Sequence, residues 1–338
     1  KRIHATKGAD NHFIRLFEEE ARVGAGLQHP NVVQIMDFGV DDDGDYFLVM
    51  EWIEGLDLHH WVRSHPRGLQ LTPWPLVTAI GVDVLRALGA AHERRDDAGA
   101  LSPVYHRDVS PSNVLLGTNG TVKLTDFGLA RAMDRASMTR PNVIKGKLAY
   151  CAPELISGAK ASAQSDLFAL GVVLWEALSQ QRLFTGKNDL EVLLSVRKGE
   201  IPRVSEVRTD IPAPLELAIQ QALEPDPKNR FETATEMARA LAAILRTHPE
   251  PIDAEPMGKS VRQAAERLGL AKKAKGAAPQ DPSVHDLSLS DVEIVDPEVK
   301  SLELDISVQE VPPPSPVSSS EAKAPVRGLW SEKDDGSG

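Results

Sequence analysis

Cysteine is almost absent. Cys151 is the single thiol in 338 residues, which excludes an internal disulfide framework, and no Cys/His cluster has the spacing of a zinc site. A reducing cytoplasm is the setting that this usage implies. Long apolar runs are missing too: none approaches the roughly 18 residues of a membrane span, and no signal peptide opens the chain, so no membrane segment is expected. Positive charge is in short supply, with 38 Lys and Arg against 49 Asp and Glu and a formal net charge of -11. Nucleic acid is therefore not expected as the main partner, because backbone binding needs concentrated basic residues. An acidic protein can still bind a nucleotide through a local site. An initiator methionine is also lacking; the chain opens at Lys1 in "KRIHATKGAD", which reads as a fragment whose start lies upstream.

What is present suffices for a sizeable core, since 41% of the residues are hydrophobic. Phe13, Leu16, Phe17, Ala21 and Leu27 recur at helical spacing over 13–27, weakened near the end by Gly24 and Gly26. "NVVQIMDFGV" and "DYFLVMEWI", separated by the acidic turn "DDDGD", predict an antiparallel strand pair. From Thr72 the pattern turns helical. "PLVTAIGVDVLRALGAAHE" is apolar enough for a buried core helix, and "SAQSDLFALGVVLWEALSQ", "NDLEVLLSVRKG", "APLELAIQQALE" and "TATEMARALAAILRT" follow. Composition shifts near Pro249. Between Asp281 and Glu310 there are nine acidic residues and one basic, then "VPPPSPVSSS", and such a stretch buries too little apolar surface to offset its ordering entropy. Residues 248–338 are thus expected to be a disordered tail of low complexity. A short helix over 259–273 is expected inside it, with Val261, Ala265 and Leu268 on one face, either solvated or docked on the domain or on a partner.

"HRDVSPSN", His106 to Asn113, carries the chemistry. Phosphoryl transfer asks little covalent help of a protein; it needs a divalent metal against the phosphates, a carboxylate beside the attacking hydroxyl and cations on the spreading charge. Asp108 could accept or orient the hydroxyl proton, Asn113 could hold metal, and Asp126 of "DFG" offers the same metal a charged oxygen. Between them "VLLGTNGTVKLTDFG" reads as two short strands joined by an Asn-Gly turn, which would bring Asn113 and Asp126 together. Each tripeptide alone is a weak signal. Their order, "HRDVSPSN" then "DFG" then "CAPE" at 151–154, is specific.

In these motifs the chain resembles the eukaryotic-type (Hanks-type) serine/threonine protein kinases, and its "HRDVSPSN" and "GKLAYCAPE" are similar to the wording of bacterial members. The likeness covers roughly 1–247 and implies an α+β, protein-kinase-like bilobal fold: a small β-rich lobe over 1–54, incomplete here, and a larger mainly helical lobe over 55–247. It implies ATP with Mg2+ (Mn2+ possible), protein substrates, and transfer of the γ-phosphate to Ser or Thr, with autophosphorylation of the activation segment. By resemblance Lys1 would pair the ATP phosphates and Glu20 would clamp Lys1. Met50 would be the gatekeeper, Glu51 to Ile53 the hinge that reads adenine, and Leu115 the floor under the base. Asp166 would brace the catalytic loop, and Glu154 with Arg230 would form a buried structural ion pair. Arg107, beside the catalytic aspartate, could pair with a phosphate on the activation segment, where Thr139 and Ser137 are the candidate sites. A pseudokinase scaffold that binds partners, including through the tail, is the alternative. Tyrosine specificity is less expected, although one usual argument against it is missing with the loop lysine.

Three departures bear on that implication. The glycine-rich loop that covers the phosphates would precede Lys1. Ser110 stands where the family usually places lysine, and Lys147 stands where it usually has threonine. These last two read as one exchange, hydroxyl for amine, with Lys147 approaching Asp108 and the transferring phosphate while Ser110 makes the lesser hydrogen bond.

Overall fold

The computed structural model describes residues 2–3, 24–41, 46–96, 98–127 and 147–270. Of the helix predicted over 13–27 only its last residues fall within it, with Gly24 and Ala25 helical.

The first sheet has three strands in the order β1 (Arg2–Ile3), β3 (Tyr46–Met50), β2 (Ile35–Val40). β2 and β3 are the predicted antiparallel pair, in register from Ile35 opposite Met50 to Val40 opposite Tyr46. Alternation puts Leu48 inside, packed by Ile35, Phe38, Tyr46 and Met50. This cluster is small and distinct from the main core. The second sheet runs β4 (Gly55–Asp57), β5 (Val114–Gly117), β6 (Val122–Leu124), all antiparallel. β5 and β6 are the hairpin read from the sequence. Gly120 takes a left-handed φ of 87°, and Asn119 Oδ1 accepts from the Thr121 amide and hydroxyl, which fixes the turn. Val33 donates to the Leu124 carbonyl at 3.0 Å and Leu124 to the Asn31 carbonyl at 2.8 Å, so the hairpin is tied to the segment leading into β2.

Helices α1 (Leu58–Arg63), α2 (Trp74–His92), α3 (Pro153–Ile156), α4 (Ala163–Ser179), α5 (Asp189–Lys198), α6 (Ala213–Ala222) and α7 (Ala234–Leu245) build the larger part. α4 is buried along nearly its whole length and starts in a capping box between Ser162 and Ser165. α2 packs chiefly on α7 and α4, where Gly81 lets Leu174 and Leu241 approach its backbone; a Cβ there would lie 3.1 Å from each. Its length and hydropathy would suit a membrane span, but 72% of that window is buried inside the fold, as a core helix must be.

One element departs from the expected tail. Residues Ala254–Arg267 form α8, starting earlier and ending earlier than the helix predicted over 259–273, and it is docked rather than solvated. Asp253 caps its N-terminus by accepting from the Glu255 amide, and Gly269 with φ 71° follows its end, so local capping chemistry set bounds that the apolar spacing did not reveal.

Candidate active site

Asp166, in the first turn of α4, organises the loop before β5. Its carboxylate is 1% exposed. Oδ2 accepts from the His106 amide at 2.8 Å and from His92 Nε2 at 2.8 Å, and Oδ1 accepts from the Arg107 amide at 2.8 Å. Arg107 has φ 66°, a conformation costly for a residue with a Cβ, and the two amide bonds on Asp166 hold it there. Its side chain is exposed. His106 is fully buried. Its Nδ1 accepts from the Asp108 amide at 3.2 Å, so Nε2 carries the proton and donates to the Thr125 carbonyl at 2.8 Å. Phe127 packs its ring 4.6 Å from that of His106. The loop is thereby fastened both to α4 below and to the segment leading out of β6. His92 and the two ring contacts of His106 escaped the sequence reading. A single histidine at the end of an apolar helix carries no local signal that its partner lies 74 positions away.

Asp108, thus presented, is crowded on one oxygen. Asn113 Nδ2 donates to the Asp108 carbonyl at 2.7 Å and to its Oδ2 at 2.9 Å, and Lys147 Nζ reaches the same Oδ2 at 2.5 Å. The Lys147 side chain is 55% exposed while that of Asp108 is 12% exposed, so the amine arrives from the solvent side. Ser110 does not join this group. It is buried, and the lesser hydrogen bond expected of its hydroxyl is made to Ser112 Oγ, at 3.1 Å, in the turn Pro111–Asn113. Asp126 is half-buried with φ 63°, and the Thr125 amide donates to the Asn113 carbonyl at 2.9 Å, which puts Asn113 and Asp126 at one end of the hairpin as predicted.

The turn that carries Lys147 is itself anchored. It continues as a 3-10 turn, Leu148–Tyr150, whose last residue is buried. Tyr150 donates its hydroxyl proton to Glu176 Oε2 at 2.8 Å; Arg182 donates to the same hydroxyl and, at 3.2 Å, to the same carboxylate. Burial pushes both the Glu176 carboxyl and the Tyr150 hydroxyl up from their ordinary values. Just beyond, Glu154 and Arg230 make a bidentate pair, both contacts 2.8 Å. The three remaining Arg230 N–H groups go to the carbonyls of Glu224, Gln164 and Pro225, and its guanidinium lies 4.8 Å from the Phe168 ring centre.

On the opposite side the chain runs from β3 to β4 through residues 51–54. Met50 is half-buried at the end of β3. The Glu51 amide donates to the Gln34 carbonyl at 2.9 Å, while its carboxylate accepts from the Gln34 amide at 3.2 Å and from Lys123 Nζ at 2.8 Å. Lys123 was not singled out in the sequence, its partner being 72 positions away. Ile53 is half-buried beside an exposed Trp52, and Leu115 stands in register with Asp57 and Lys123. Lys1, Glu20, Ser137 and Thr139 lie outside the described residues. Among the described residues no three His, Cys, Asp or Glu side chains converge as a metal cage. Asp126 and Asn113 present a carboxylate and an amide oxygen, hard donors that suit a divalent cation completed by phosphate oxygens and water.

Comparisons with known proteins agree on one family. The model described as "Protein kinase domain" matches residues 1–241. The tyrosine-protein kinase MasK of Myxococcus xanthus is 40% identical over 255 residues, covering 75% of this chain and 39% of MasK. The serine/threonine-protein kinase PrkC of Bacillus subtilis is 34% identical over 232 residues, 68% of this chain and 33% of PrkC. PknA of Mycobacterium tuberculosis, also a serine/threonine-protein kinase, is 33% identical over 276 residues, 80% of this chain and 61% of PknA. The chain thus spans less than two thirds of the length of each of these relatives. Among solved structures the PknI kinase domain of Mycobacterium tuberculosis superposes with a TM-score of 0.52 at 29% identity, covering 70% of this chain and 80% of that one.

Proposed function

The chain belongs to the protein kinase domain family, and on that premise we propose that it transfers the γ-phosphate of ATP to serine or threonine hydroxyls of protein substrates. The observation that carries this reading is the geometry at Asp108, whose Oδ2 meets Asn113 and Lys147 in a loop braced by Asp166. Asp108 orients the substrate hydroxyl and takes its proton as the phosphoryl group moves. Both Asn113 Nδ2 contacts are spent on Asp108, so the atom it would turn to a cation is Oδ1, with the Asp126 carboxylate as the second oxygen donor. Mg2+, or Mn2+ with the same oxygen donors, would offset the charge of the phosphates when bound. Lys147 sets a cation where the transferring phosphate would pass, in place of the lysine that Ser110 displaces.

The adenine base would lie against the backbone of Glu51 to Ile53, with Met50 behind it and Leu115 beneath. Lys1, clamped by Glu20, is assigned to the phosphates by resemblance alone. Arg107, exposed beside the loop, is the partner proposed for a phosphate on Thr139 or Ser137. Use of ATP favours the cytoplasm for this domain. Retention of Asp108, Asn113 and Asp126 together supports transfer over a scaffold that only binds partners, since a scaffold has no chemical use for all three.

Incubation of the full-length protein with ATP and Mg2+, beside an Asp108→Asn control, tests the reading by intact mass and phosphoamino-acid analysis. Phosphoserine or phosphothreonine gained only by the wild type is expected. No gain with nucleotide still bound would overturn transfer in favour of the scaffold. Phosphotyrosine would favour transfer to tyrosine as a second reading, which the 40% identity to a kinase named for tyrosine motivates.

A further inference from the structure

Helix α8, Ala254–Arg267, lies beyond the stretch that the family model matches, which ends at residue 241. It nevertheless packs on β4, β5 and α1. Met257, Val261 and Ala264 are buried, and Ser260 Oγ accepts from the indole N–H of the fully buried Trp61 at 3.0 Å. Arg267 donates to the Ser64 carbonyl and to Gln70 Oε1, both at 3.1 Å, closing the helix's other end onto α1 and the loop after it.

The contact with the β5–β6 turn is of another kind. A Cβ on Gly258 would sit 2.7 Å from the Thr118 carbonyl oxygen, and one on Gly120 would sit 1.9 Å from that of Ala254, so two backbones lie directly on each other there. Arg262 donates to the same Thr118 carbonyl. The Thr118 amide in turn donates to the Glu54 carbonyl at 2.8 Å, and Glu54 ends the segment 51–54. A Cβ on Gly55, the next residue, would lie 1.9 Å from the Leu116 carbonyl oxygen, adjacent to Leu115. Helix, turn and connecting segment are therefore stacked in three layers, joined by hydrogen bonds on either side of Thr118.

We propose that α8 is a positioning element for the nucleotide: through Arg262 and Thr118 it holds the outer end of the segment 51–54 in the geometry that receives adenine. The proposal rests on the kinase reading for its ligand and on the geometry alone for its effect on the segment. Arg262 separates positioning from stability, because a 46% exposed arginine contributes little to global folding, whereas its acceptor is one residue away from the adenine floor's own strand and bonded to Glu54.

In the full-length protein, Arg262→Ala is expected to raise the KM for ATP about fivefold, equivalent to about 1 kcal/mol, with kcat and the KM for protein substrate changed less than about twofold. Arg262→Lys, which keeps one donor, is expected to recover most of it. A chain stopped after Thr247 should show a larger rise together with a lower melting temperature. Amide exchange without nucleotide gives the second readout: Arg262→Ala should speed exchange at 51–57 and 115–121 and leave α4 unchanged. Unaltered exchange there, or an unaltered KM for ATP with only the melting temperature reduced, would overturn the proposal. If no nucleotide binds to any variant, including Asp108→Asn, the kinase reading fails, and the exchange measurement still decides the role of α8.

Discussion

Replacing Lys147 with methionine removes a charged donor from an oxygen that also accepts from Asn113. The stem is kept, so packing changes little and the loss is electrostatic. An exposed ion pair is worth up to about 1 kcal/mol and a charge-assisted hydrogen bond to a screened carboxylate about 1.5–3 kcal/mol. Lys147 is 55% exposed and Asp108 12%, which places the pair between those limits, at about 1–2 kcal/mol. If that interaction serves the transition state, kcat/KM should fall roughly 5- to 30-fold. Steady-state phosphate transfer to a protein substrate, beside thermal unfolding to show an intact fold, is the assay. The reciprocal variant sharpens it: Lys147→Thr alone should lose activity, and Ser110→Lys with Lys147→Thr should regain most of it, a non-additivity expected only if the two positions exchange one function. Unchanged turnover in Lys147→Met would refute the reasoning, and failure of the double variant to recover would refute the exchange.

Other perturbations have magnitudes of their own. Asp166→Ala strands two backbone amides and His92 Nε2 in the interior, and should cost about 3–5 kcal/mol in denaturant unfolding; a loss below about 1 kcal/mol would contradict the bracing role. Arg230→Lys keeps the charge but cannot reproduce five directed N–H bonds, so about 2–4 kcal/mol should be lost, measured the same way. Burial holds His65 below its ordinary value of 6.5. The unfolded chain then takes up the proton first, so stability is full above 6.5 and is lost as pH falls from there toward the lower folded value; His65→Gln should flatten the melting temperature across that window.

Much of this was legible because it is local. The Asn-Gly turn announced the β5–β6 hairpin, and with it the juxtaposition of Asn113 and Asp126. Period-3.6 apolar spacing announced α2, α4, α5, α6 and α7. The bounds of α8 were misjudged for an equally local reason: Val261, Ala265 and Leu268 suggested one face, while the buried residues are Met257, Val261 and Ala264 with a serine among them. Ser260, which the apolar spacing did not single out, is the acceptor for a tryptophan 199 positions away. Ser110 was expected to make a lesser hydrogen bond, and a turn too short to appear as a pattern gave it Ser112 as partner.

The sequence by itself determined which groups are available for phosphoryl transfer and in what order, because an acid, an amide and a second acid at set distances along one loop and hairpin are arranged by short-range backbone geometry. Tertiary structure alone decided that His92 and two amides share Asp166 and that α8 lies on the turn beside residues 51–54, while the approach of Lys147 to Asp108 was expected from the resemblance and not from local spacing. Those partners are separated by 39 positions or more, and contacts at such range follow from how the helices and sheets pack, which no local spacing encodes.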